Sequence, residues 1–195
     1  ICKCLHDDDH TKRVRSKKYN KIVSQIDRLS RGSKEWKKDG LNTLKYYFDK
    51  LGHSTSIVSP NKFPHFLQWM DPKNKILTYS NENNINNLVL NADIIFTLDF
   101  NNLVRISQMK EIVKKSNAIK IMIDHHENPS DYAEFMYSDP EMSSTCEMIY
   151  HFINMLGDKK LIDKNISKSL YAGIMTDTGS FKFPSTTYVT HEVVS

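Results

Sequence analysis

Ala118-Ile119-Lys120-Ile121-Met122-Ile123-Asp124-His125-His126-Glu127-Asn128-Pro129 is the stretch on which the reading of this chain turns. An isoleucine-rich apolar run stops abruptly in Asp-His-His-Glu. The run is short, largely β-branched and interrupted by a single Lys, so it predicts a buried strand rather than a helix. Asn128-Pro129-Ser130 ends it. Ionisable residues just past the carboxyl end of a parallel strand stand where open α/β sheets bind their ligands. The plain alternative is a solvated loop with two His, because a short motif matches by chance often enough to matter.

Two further stretches repeat the pattern. Asp93-Ile94-Ile95-Phe96-Thr97-Leu98-Asp99-Phe100 is a second apolar run ending in a carboxylate. Ala172-Gly173-Ile174-Met175-Thr176-Asp177-Thr178-Gly179-Ser180-Phe181 sets a third Asp at a glycine-flanked turn. Asp99, His125 and Asp177 converge if the elements that carry them lie side by side. Carboxylate oxygens with an imidazole suit Mn²⁺ or Mg²⁺. No paired Cys lies near these positions, which argues against structural zinc.

Working outward, strand and helix patterns alternate. A helix is expected over 42–50, with Leu41, Leu44, Tyr47, Phe48 and Leu51 on one face and Gly52 as its C-cap. Strands are expected at Ser56-Ile57-Val58, Ile76–Tyr79 and Glu134–Tyr137. Phe66–Met70 reads as a short helix or turn, and 81–91 as an Asn-rich helix. Residues 101–115 read as loop and helix, with Leu103, Ile106, Met109, Ile112 and Val113 as a buried stripe. Helices are expected over 146–156, over 166–175 leading into Asp177, and from Thr187 onward. The fold class is therefore α/β, a mostly parallel sheet with helices on both faces.

The chain resembles the DHH phosphoesterases, and within them the bacterial nanoRNase/pAp phosphatase (NrnA-like) type. The resemblance is carried by Leu98-Asp99-Phe100-Asn101, Asp124-His125-His126, Ser143-Ser144-Thr145 with Glu147, and Thr176-Asp177-Thr178-Gly179-Ser180-Phe181. It runs from about Asp39 through Leu51-Gly52-His53 and Pro60-Asn61-Lys62-Phe63-Pro64 to the end. It implies hydrolysis of short oligoribonucleotides or pAp at two divalent metal ions, Mn²⁺ or Mg²⁺, with a metal-activated water attacking phosphorus. By the same resemblance Asp99, His125 and Asp177 are metal ligands. Asp124 orients an imidazole, and His126 contacts the phosphate or protonates the leaving oxygen. Arg105, Ser144 and Thr145 are implied substrate contacts. Arg105 as a surface charge and Ser144 or Thr145 as a helix N-cap are equally open.

One departure from the family stands out. Family members open with an apolar strand and a His-x-x-Pro-Asp-Gly-Asp loop, whereas only Asp39-Gly40 precedes the helix here. Ser33–Lys38 is too polar for a buried strand. Ile22, Val23, Ile26 and Leu29 instead suggest a short amphipathic helix broken by Ser30–Ser33. The expected layout is a basic segment, 1–38, that departs from the family, either disordered or mis-joined in translation. An incomplete DHH domain, 39–195, follows it, without the C-terminal substrate-binding domain. The sheet is accordingly expected to lack a strand beside the site. Two alternatives to an active nanoRNase stay open. One is a catalytically inactive fragment or pseudoenzyme. The other is a different DHH relative, a pyrophosphatase or RecJ-like exonuclease.

Composition bounds the rest. The 195 residues suffice for one domain with a real core. Residues 1–38 hold 12 Lys+Arg against 5 Asp+Glu, and the remainder 15 against 18. A basic segment of this kind contacts nucleic acid or is simply solvated. Cys2-Lys3-Cys4 with His6, Asp7–Asp9 and His10 lacks zinc spacing and reads as a disordered end. Three Cys fit a reducing, cytoplasmic compartment. No run approaches the ~20 apolar residues of a membrane span. The expected partners are short RNA or pAp and a second copy of the chain in a homodimer, with no membrane.

Overall fold

The computed structural model describes residues 20–25, 39–61, 76–79 and 83–195, with 20–25, Asp39 and Asn83 described by backbone alone. Readings that fall on Cys2–His10, on Ser30–Lys38 and on Phe66–Met70 lie outside these residues.

Among the described residues six strands form one parallel sheet: β1 Asn20–Gln25, β2 Ser54–Ser59, β3 Ile76–Thr78, β4 Ile94–Leu98, β5 Ile119–Asp124 and β6 Phe135–Ser138. Their spatial order is β3-β2-β1-β4-β5-β6. Chain direction across the sheet reverses between β1 and β4, the topological switch point at which doubly wound sheets open a ligand crevice. In register, Ser24 pairs with Thr97 and Gln25 with Leu98, while Leu98 pairs with Ile123 on its other side. The carboxyl ends of β1, β4 and β5 therefore lie side by side.

The strand β1 corrects the sequence analysis twice. Residues 22–25 belong to a strand, not to an amphipathic helix, and the sheet has a strand between β2 and β4. The physical reason is tertiary. Ile22-Val23 is β-branched, and a backbone in this slot hydrogen-bonds neighbours on both edges, which outweighs a helical spacing that needed Ile26 and Leu29 to complete it.

Helices cover both faces, as expected. One face carries α1 Asp39–Lys50, α4 Thr145–Met155 and α5 Lys164–Asp177. Leu41, Leu44, Tyr47 and Phe48 of α1 pack with Phe96, Leu98 and Ile123 of the sheet and with Ile149, Phe152, Ile166 and Ile174. Leu51 falls outside this stripe and is exposed, because the helix has already ended. Gly52 closes α1 with φ 78°, and the His53 N–H reaches back to the Phe48 carbonyl at 3.0 Å. Gly40 lets α1 lie close to α4: a Cβ there would come within 2.8 Å of Ile149 Cδ1.

The opposite face carries α2 Asn83–Leu90, a 3-10 stretch Leu103–Met109 and α3 Lys110–Lys115. Val89, Leu103, Ile106, Met109 and Val113 pack there against Val58 and Ile95. Alternate residues of β4 thus feed two cores, and all five of its side chains are buried. That is the signature of a central parallel strand. A short helix, α6 Tyr188–Val194, follows α5 and starts with a capping box between Thr187 and Thr190. Among the described residues no helix is long and apolar enough to cross a membrane.

Candidate metal centre

The site forms where β4 and β5 end. Asp99 directly follows β4 and is buried, with φ 63°. Asp is one of the few residues that enters this left-handed region without prohibitive cost. The Asp99 N–H donates to the Ile123 carbonyl at 3.1 Å, so the turn is pinned to the neighbouring strand. Asp124 is the last residue of β5 and is fully buried. His125 and His126 follow it at the sheet edge of the crevice.

One ligand atom from each of Asp99, His125 and His126 lies within 4.8 Å of the other two. His125 Nε2 is 3.6 Å from Asp99 Oδ1. The two imidazoles stand edge to face, 4.9 Å between centroids. Each ring is oriented from behind. His125 Nδ1 lies 3.1 Å from the Met142 carbonyl, and His126 Nδ1 lies 2.6 Å from Asp124 Oδ1. A carbonyl or carboxylate oxygen only accepts, so Nδ1 of both rings donates. A neutral ring held this way presents its Nε2 lone pair, the arrangement typical of metal-bound histidine.

The remaining site residues fall into place around this cluster. Thr145, at the start of α4, donates its hydroxyl to Asp99 Oδ1 at 3.0 Å. Ser144 is the N-cap of α4 and accepts the Glu147 N–H at 3.1 Å. Both side chains are buried and engaged inside the protein. Asp177 is the half-buried last residue of α5 and is not a member of the three-residue cluster. Arg105 lies in the 3-10 stretch after Asp99, with its Nη1 enclosed and without a hydrogen-bond partner among the described residues. The structure thus brings Asp99, His125, His126, Asp124 and Thr145 together.

Three supports had no role assigned from the sequence, although Asn101 and Glu147 stand in its motifs. The Met142 carbonyl is backbone and has no residue-type signature. Asn101 donates its side-chain N–H to the Glu127 carbonyl and accepts on its own carbonyl from the Ser130 N–H at 2.8 Å. It thereby ties the segment after His126 to the turn after Asp99. Its place in Asp99-Phe100-Asn101 was the available signal. Glu147 is buried and accepts from Ser143 and Thr190. Burial alone would push its carboxyl up, but the neighbouring His151 imidazole and hydrogen bonds from Ser143 and Thr190 outweigh that and hold it below its ordinary range.

A family model described as the DHH family, N-terminal domain, matches residues 18–174. The chain belongs to the DHH family. The match begins inside the basic N-terminal segment and includes β1. Among curated proteins, this DHH chain is 33% identical over 102 residues to a probable bifunctional oligoribonuclease and PAP phosphatase NrnA of Streptococcus mutans. It is 31% identical over 104 residues to the bifunctional oligoribonuclease and PAP phosphatase NrnA of Bacillus subtilis. These alignments cover 52% and 53% of the chain but only 31% and 32% of the relatives, so about a third of their length is matched. An exopolyphosphatase-related protein from Bacteroides fragilis superposes with a TM-score of 0.83 at 34% identity, over 95% of this chain and 55% of that one. A putative family II inorganic pyrophosphatase of Methanococcus jannaschii shares the DHH fold at 16% identity and a TM-score of 0.57, covering 90% of this chain and 53% of that one.

The donor set fits a divalent cation. One carboxylate and two imidazoles, partly buried, make a set that a divalent cation accepts, and among the described residues no thiolate joins it.

Proposed function

We propose that this DHH domain is the metal-binding half of a phosphoesterase that hydrolyses short oligoribonucleotides, pAp, or both. The observation that carries this is the Asp99–His125–His126 cluster at the carboxyl ends of β4 and β5, beside the switch point of a parallel sheet, with His125 Nε2 3.6 Å from Asp99 Oδ1. Asp99 and His125 would hold a divalent ion, and Asp177 and His126 are the candidates to complete the set. Bound divalent ions would supply an activated water and charge neutralisation at phosphorus. Asp99 supplies the anionic ligand. Asp124 orients the His126 ring, which, where it does not complete the metal set, would contact the phosphate or, when protonated on Nε2, give that proton to the leaving oxygen. Arg105 is a candidate contact for a phosphate oxygen.

The test uses the purified chain with Mn²⁺, RNA dimers to pentamers and pAp. Mononucleotide or phosphate release that disappears in Asp99→Asn supports the proposal. Turnover unchanged in Asp177→Asn would remove Asp177 from the site. Preference for pyrophosphate would move the chain to another branch of the family.

A second reading is favoured by one specific feature. β1 delivers the chain to the switch point beside Leu98, yet the 13 residues from Ile26 to Lys38 contain no His and only two carboxylates, Asp27 and Glu35. A second ion would have few donors from that side, which suits a non-catalytic module. This reading predicts no hydrolysis at any Mn²⁺ concentration.

A further inference from the structure

We propose that Glu147 is a positioning residue that couples α6 to the metal centre by fixing the segment Met142–Thr145. The inference rests on the metal-site reading above and extends it to a group that touches neither metal nor substrate.

The segment Met142–Thr145 makes two contacts with the centre. At one end the Met142 carbonyl holds His125 Nδ1, at 3.1 Å. At the other, Thr145 donates to Asp99, at 3.0 Å. An error in its position would therefore disturb two of the three clustered residues at once. Ser143 and Ser144 lie between these contacts. Ser144 is held by the Glu147 N–H, and Ser143 donates its hydroxyl to Glu147 Oε2. Both serines thus lean on one residue, through its backbone and its side chain.

Glu147 Oε2 also accepts the Thr190 hydroxyl at 3.0 Å. Thr190 is fully buried and belongs to the capping box of α6, where its hydroxyl accepts the Thr187 N–H at 3.1 Å. On the other oxygen, His151 Nε2 of α4 is 3.9 Å from Oε1. A carboxylate this buried is costly unless its acceptor sites are filled. Here Oε2 is filled by one hydroxyl from the site segment and one from α6, and Oε1 faces the His151 imidazole of α4. A single carboxylate therefore connects the start of α6 with the carbonyl that sets the His125 tautomer. Outer contacts of this kind typically change metal affinity by about 10–100-fold when removed.

The variants separate hydrogen bonding from charge. A Gln carbonyl oxygen has two lone pairs and can accept from both Ser143 and Thr190. Glu147→Gln should therefore retain the wild-type behaviour, and Glu147→Leu should lose it. Thr190→Val and Ser143→Ala each remove one bond and serve if Glu147→Leu fails to fold. The first measurement is the long-range ¹⁵N–¹H correlation of the histidine rings in the metal-free chain. The second is the Mn²⁺ dissociation constant by titration calorimetry. The expected result is a pure Nδ1–H form of His125 in the wild type and Glu147→Gln. A tautomer mixture is expected in Glu147→Leu and Ser143→Ala, with Mn²⁺ affinity about 10-fold weaker or more. Folded Glu147→Leu or Ser143→Ala with an unchanged His125 tautomer and unchanged Mn²⁺ affinity would overturn the proposal. If the wild type binds no Mn²⁺, the metal-site reading fails, and the His125 tautomer in the same variants still decides the role of Glu147.

Discussion

Asp124 Oδ1 lies 2.6 Å from His126 Nδ1, and the other oxygen of the same carboxylate accepts the His126 backbone N–H at 3.0 Å. Two bonds from one fully buried carboxylate fix both the ring and the turn that carries it. The sequence adjacency of Asp and His is thus a structural device, with the strand's last residue orienting a ring two positions on. Replacing the carboxylate by an amide keeps an acceptor but removes the charge that raises the basicity of the ring. Asp124→Asn should weaken Mn²⁺ binding by about 10–100-fold while the chain stays folded. Calorimetry checks the first part, and a melting curve the second. Unchanged affinity would mean that His126 does not face the ion.

Thr145 was expected to touch substrate, and its hydroxyl instead donates to Asp99. Thr145→Val preserves shape and removes that bond, leaving a buried carboxylate oxygen short of a donor. Hydrogen bonds to charged groups contribute about 1.5–3 kcal/mol. The metal-free variant should lose stability within that range, read from urea midpoints. In an active preparation the apparent Mn²⁺ requirement should shift, with the KM for substrate nearly constant. A change confined to KM would return Thr145 to the substrate contacts.

Glu147 makes stability sensitive to acid. Its folded carboxyl is held below the ordinary range because the neighbouring His151 imidazole and hydrogen bonds from Ser143 and Thr190 overcome the opposing effect of burial. A carboxyl depressed in the folded state contributes stability that is present above its unfolded pKa, about 4.3. That contribution is lost as pH falls through the folded value. As pH falls below about 4.3, the wild type should therefore lose stability more steeply than Glu147→Gln, which has no charge to titrate there. Parallel slopes in urea denaturation would show that the group is not linked to folding.

What was legible in the sequence follows from how local the signal is. Asp99 and His125 could be paired because each ends an apolar β-branched run, and parallel strands align their carboxyl ends. Their elements, β4 and β5, prove to be neighbours. β1 was missed because Ile22-Val23 is only two strong strand formers, set among charges. Its partners, Ser54–Val58 and Ile94–Leu98, are 34 and 73 residues away. Strand preference of that kind comes from neighbours rather than from the segment itself. The tautomer of His125 was beyond reach for another reason, since the Met142 carbonyl that decides it belongs to every residue type alike. Asp177 was legible as an acid at a turn, but a residue at a helix end can face several directions, and it stands outside the close cluster.

The helix that ends at Asp177 begins at Asp163, and two effects compete there. Asp163 caps α5 by accepting the Asn165 and Ile166 N–H groups at 3.0 and 3.1 Å, and its second oxygen lies 2.9 Å from Lys50 Nζ. Loss of an N-cap costs about 1 kcal/mol. An exposed ion pair contributes about 0.2–1 kcal/mol at best and is screened by salt. The cap should therefore dominate. Asp163→Ala should lower stability by about 1 kcal/mol, a drop in Tm of about 2–4 °C for a chain of this size. Asp163→Asn, which still caps, should stay within about 0.5 kcal/mol of the wild type, and Lys50→Ala should match it. If Asp163→Asn and Lys50→Ala each cost as much as Asp163→Ala, and 0.5 M salt erases the difference, the ion pair to α1 is the dominant interaction instead.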